Sequence, residues 1–130
     1  MKTNEIQFAP HLAIKVLRPA VEFYVKALGA QTVRTFDNED GSIHVAEMLF
    51  QGLIFHLHEE TPRNHQLSPE SVSSTSVLIG VFVPDPDKLY KMAITAGAAI
   101  VSPMQDYDYG YRQATIADPF GHQWLIQKKI

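Results

Sequence analysis

Apolar and polar positions alternate in short runs along this chain, and two stretches break the alternation with helical spacing. The first run, HLAIKVL at 11–17, reads as a strand. PAVEFYVKAL follows as a helix over 19–28: Val21, Tyr24, Val25 and Leu28 form its apolar stripe, Pro19 opens it and Gly29 lies just past its end. AQTVRTF then predicts a strand, DNEDG a turn, SIHVAEMLF a strand, Gln51–Gly52 a two-residue hairpin and LIFHLHE a further strand.

The polar stretch 59–75, EETPRNHQLSPESVSST, reads as a linker or surface loop. After it the pattern restarts. SVLIGVFV is a strand and DPDKLYKMAITA a helix, with Asp85 as its cap, Pro86 at its first position and Gly97 at its end. AAIVSP is a strand, MQDYDYG a turn, YRQATIA a strand, DPFGH a turn and QWLIQK the last strand. Gly29 and Gly97 lie 68 residues apart, Gly52 and Gly121 lie 69 apart, and ALGA in the first half answers TAGA in the second. The chain is therefore expected to be two tandem βαβββ modules of one α+β domain, at about 8–59 and 76–130, with the linker at about 60–75.

Composition narrows the function classes. The 130 residues suit one compact domain, and 45% apolar with 19% charged residues is ordinary for a soluble globular protein. A net charge of −3 without basic blocks argues against nucleic acid. No apolar run is long enough to cross a membrane and the first residues carry no secretory signal, so a cytoplasmic location is expected. With no cysteine, thiol nucleophiles and thiolate metal sites are excluded. There is no phosphate-binding glycine loop and no nucleophile elbow. Six histidines remain as the candidate chemistry.

PHLAIKV, FYVKALGA, DGSIHVAEM and DPFGHQW together resemble the vicinal oxygen chelate superfamily of glyoxalase I, bleomycin resistance proteins and extradiol dioxygenases, and most closely its PhnB-like branch. The resemblance runs from Pro10 to Gln127. It implies a curved, barrel-like sheet around a cavity, and commonly a homodimer. It also implies a divalent ion (Ni, Co, Zn or Mg) held by side chains of the first and last strand of each module. The corresponding positions are His11 and His56 in module one, but Leu78 or Ile79 and Leu125 in module two, so half of the set is missing.

Two readings follow. The first is a protein that binds a small organic molecule in its cavity without the four-ligand metal; the second is a metal-dependent lyase or isomerase using His11 and His56. In either, Glu47 is the candidate acid–base group, because a carboxylate in an apolar strand needs a partner or a purpose. His11, His44, His56, Tyr109, Tyr111 and Arg112 are the candidate cavity lining, the tyrosine loop suiting a planar or carboxylated ligand. His58 reads as a solvated strand end and His65 as a linker residue. His122 is expected at the surface of a turn, and Trp124 in the core against a helix.

Overall fold

The computed structural model describes residues 5–130. Module one comprises β1 (His11–Ile14), α1 (Leu17–Leu28), β2 (Gln31–Asp37), β3 (Ile43–Phe50) and β4 (Leu53–Glu59). A short helix α2 (Pro69–Val72) lies in the connection. Module two comprises β5 (Leu78–Phe82), α3 (Pro86–Ala96), β6 (Ala99–Tyr107), β7 (Tyr111–Ala117) and β8 (Gln123–Lys129). The sheets have orders β1-β4-β3-β2 and β5-β8-β7-β6, so the repeat read from the sequence is the repeat of the fold. The two modules are those expected, but their sheets are separate and do not close into a barrel.

Two boundaries move for physical reasons, and one cap stays where it was expected. Helix α1 starts at Leu17, two residues early, because Val16 is extended and Pro19 falls within the first turn, where no N–H is needed. Strand β6 runs on through four residues read as a turn. Its proline, Pro103, is tolerated because β6 is an edge strand and its register slips between Ser102 and Gln105. Asp85 caps α3 as expected, its carboxylate accepting from the Lys88 N–H.

Alternation decides what each sheet buries. In β3 and β4, Ala46, Met48, Phe55 and Leu57 point to the helix side and are buried, whereas Glu47 and His56 point the other way. The helices of the two modules pack on one another, so one core spans both, and each sheet turns its helix-free face outward. Tyr24 of α1 lies at the centre, its ring centroid 5.4 Å from Phe55 and 5.6 Å from Trp124.

The connection is structured, not a slack linker. Thr61 and Gln66 form a bridge around a helical turn at Pro62–Asn64. The Glu60 carboxylate accepts from the Ser68 N–H at 2.7 Å, from the Ser68 hydroxyl at 2.6 Å and from the Ser71 hydroxyl. Those hydrogen bonds pull its pKa down to about 2. Residues 60–72 are thereby folded into a strap beside β1 and β5.

Candidate functional site

On the helix-free face of module one, cross-strand pairing lines up four side chains. His11 pairs with His56, His56 with Glu47, and Glu47 with Arg34. The His11 and His56 rings lie 4.4 Å apart at 32°, and His58 is 6.2 Å from His11. Desolvation, followed by the two neighbouring imidazoles, lowers the His11 pKa below its ordinary value. The Glu47 carboxylate accepts from Arg34 Nε at 3.0 Å, so its partner is a cation on the next strand.

The same row in module two reads Gly80, Leu125, Thr115 and Ser102. Register therefore makes Gly80 the counterpart of His11, in place of the Leu78 or Ile79 expected from the sequence. Gly80 and Leu125 offer no side-chain donor. Among the described residues, no group of three or more His, Cys, Asp or Glu is placed to hold a metal ion. A divalent site uses three or four protein ligands, and the donor set here does not fit one.

The other predicted residues scatter. Strand β3 bulges at His44, where Phe36 faces Val45 and Asp37 faces Ile43. His44 instead meets Glu59 at 3.0 Å, and Glu59 also accepts from Asn38. Arg112 is held by Asp87 in a fork of 3.0–3.3 Å contacts and by Asp106 at 3.0 Å. Tyr109 stacks on Tyr107 and packs edge-on against Tyr111, which also meets Phe82. The tyrosine loop thus forms an aromatic strip on module two, away from the imidazoles.

A cavity of about 910 Å³ opens where β1, β5 and the strap meet. Leu12, Phe55, Ile79, Val81 and Trp124 wall it from the two sheets, and Leu67 and Val72 from the strap. Of the residues predicted for the lining, only His11 is there; His58, His65 and His122 join it. The strap's contribution had no signal in the sequence beyond its apolar Leu67 and Val72, set in a polar stretch.

DPFGHQW gives the cavity His122 and Trp124. Asp118 is buried; its Oδ1 accepts the N–H groups of Phe120 and His122, both at 3.0 Å, closing the turn. Its Oδ2 accepts from the Tyr24 hydroxyl of module one and from the Trp124 indole N–H at 3.2 Å. Burial pushes the Asp118 carboxyl above its ordinary pKa, against the pull of these donors. His122 is half-buried, not at the surface as expected, and Nε2 lies 2.9 Å from the Ala13 carbonyl, the geometry of an N–H donor to β1. Gly121, at φ +91°, is pressed by Pro69 of the strap. One turn therefore ties together both modules and the strap.

Known proteins carry the same fold over the whole length. The model of the Glyoxalase/Bleomycin resistance protein/Dioxygenase superfamily matches residues 7–126. The uncharacterized protein Rv0887c of Mycobacterium tuberculosis is 31% identical over 129 residues, 97% of this chain and 76% of its own. TioX from Micromonospora sp. ML1 superposes with a TM-score of 0.76 at 25% identity, covering 97% of this chain and 100% of that one. A glyoxalase/bleomycin resistance protein/dioxygenase family enzyme from Burkholderia phytofirmans PsJN superposes with a TM-score of 0.72 at 20% identity, covering 94% and 97%. The chain belongs to the glyoxalase/bleomycin resistance protein/dioxygenase superfamily.

Proposed function

We propose that this protein, a PhnB-like member by its motifs, works in the cytoplasm as a homodimer that binds a small organic molecule without a family-type metal. The observation that carries this reading is the cavity between the modules, whose size is that of a small-molecule site and whose walls are mostly apolar. Gly80 and Leu125 at the module-two ligand positions support binding over metal-dependent lyase or isomerase chemistry. Apolar side chains at the cavity's rim, Phe8, Leu53, Val72 and Leu78, are each at least half exposed or nearly so, and a second copy would cover them.

Trp124 is the only tryptophan and lines the cavity, so its emission reports occupancy. Titration with a library of small apolar organic molecules is expected to give saturable changes in that emission. Val72→Tyr/Leu78→Tyr, which fills the cavity from two exposed positions, is expected to abolish them. A library without a single saturable response, or responses unchanged in the filled variant, would remove the cavity as the binding site.

A further inference from the structure

We infer that the cavity selects an uncharged ligand: an apolar organic molecule carrying a neutral hydrogen-bonding group such as a hydroxyl or carbonyl. The inference rests on the reading of the cavity as a binding site and names the class of molecule it takes. Among the described residues, the cavity is lined by no Asp, Glu, Lys or Arg. This is a feature of the cavity and not of the chain, in which 19% of residues are charged.

Four charged groups around the cavity, Glu60, Asp118, Glu47 and Arg34, are engaged elsewhere. Glu60 is turned into the strap, where Ser68 and Ser71 hold it. Asp118 spends both oxygens on Tyr24, Trp124 and the turn. Glu47 and Arg34 satisfy one another across β2 and β3. An ion entering the cavity would lose water and meet no opposite charge, which is strongly unfavourable.

The polar side chains that do line the cavity are imidazoles, hydroxyls and the Gln66 carboxamide, none of them a carboxylate, ammonium or guanidinium. His11 and His58 come from β1 and β4, His65 and Gln66 from the strap, Ser74, Thr75 and Ser76 from the segment before β5, and His122 from the turn before β8. Neutral imidazole offers one donor and one acceptor, and a hydroxyl offers both. Such groups pair with a hydroxyl or carbonyl without requiring charge. The same lining explains selectivity: mostly apolar walls that pack, with a few uncharged groups that hydrogen-bond.

The test is calorimetric, at pH 8, with two skeletons that each carry three head groups. The probes are 1-adamantanol, 1-adamantanecarboxylate and 1-adamantylamine, with 3-phenylpropanol, 3-phenylpropionate and 3-phenylpropylamine beside them. The alcohol of at least one skeleton is expected to bind ten-fold or more tightly than both of its ions. Val77→Arg, which places a cation at an exposed lining position outside the rim assigned to the second copy, is expected to reverse the order between alcohol and carboxylate. Ions that bind the unaltered protein as tightly as the alcohols would overturn the inference while leaving the cavity a binding site. Failure of all six probes would overturn both it and the reading beneath it.

Discussion

Asp118→Ala is expected to lower folding stability by about 3–5 kcal/mol, because it leaves a buried indole N–H, a buried tyrosine hydroxyl and two turn N–H groups without their acceptor. For a chain of this size that is a fall of melting temperature on the order of 10–20 °C. Tyr24→Phe removes one of these bonds and is expected to lose about 1.5–3 kcal/mol. Adding it to Asp118→Ala should bring little further loss, since the two groups share one interaction. Urea denaturation of the four proteins gives the cycle. Full additivity would mean that the carboxylate does not join the modules through Tyr24.

The effect has a sign in pH. Asp118 has a raised pKa in the folded protein, so its contribution is fully present below the ordinary value of 3.8 and declines as pH rises through the folded value. The gap between the wild type and Asp118→Ala is therefore expected to be widest in acid and to narrow toward neutrality. The hydrogen bonds keep it from closing.

Gly121→Ala is the second large effect, at about 2–4 kcal/mol. Its φ of +91° disfavours a side chain, and a Cβ there would stand 2.6 Å from Pro69 Cβ, an overlap that the stiff proline ring cannot relieve. Gly41 is the control: it has φ +88° with nothing within 4 Å of its Cβ position, so Gly41→Ala carries the backbone penalty alone, about 1–2 kcal/mol. Urea denaturation measures both losses. Amide exchange in residues 60–75 is expected to quicken in Gly121→Ala and to stay unchanged in Gly41→Ala. Equal losses for the two would mean that Pro69 and the turn do not hold each other.

The repeat was legible because each module writes it in turn chemistry. Glycines just past both helices, proline in the first turn of each and a glycine before each last strand recur at nearly constant spacing. The row from His11 to Glu47 was half legible. Alternation put His56 and His58 on one face, but only strand register could set His11 beside His56 or show that Gly80 is its counterpart.

Long-range partners were not legible at all. Asp118 is bound to Tyr24, 94 residues away, and a sequence offers no sign of such a pair. Arg112 looked available for a ligand until the fold brought Asp87 and Asp106 to it. The strap misled for the opposite reason: its polar residues hydrogen-bond one another, and its few apolar ones form a wall. Polarity was read as solvation where it was internal bonding.

Binding in place of metal chemistry is the central claim, and calorimetric titration of metal-stripped protein with Ni²⁺, Co²⁺ and Zn²⁺ tests it most directly. With only His11 and His56 paired in the row, and Gly80 and Leu125 opposite them in the repeat, no tight binding near one ion per chain is expected. Micromolar or tighter binding at that ratio, lost in His11→Ala/His56→Ala, would contradict the account and make the imidazole pair a metal centre.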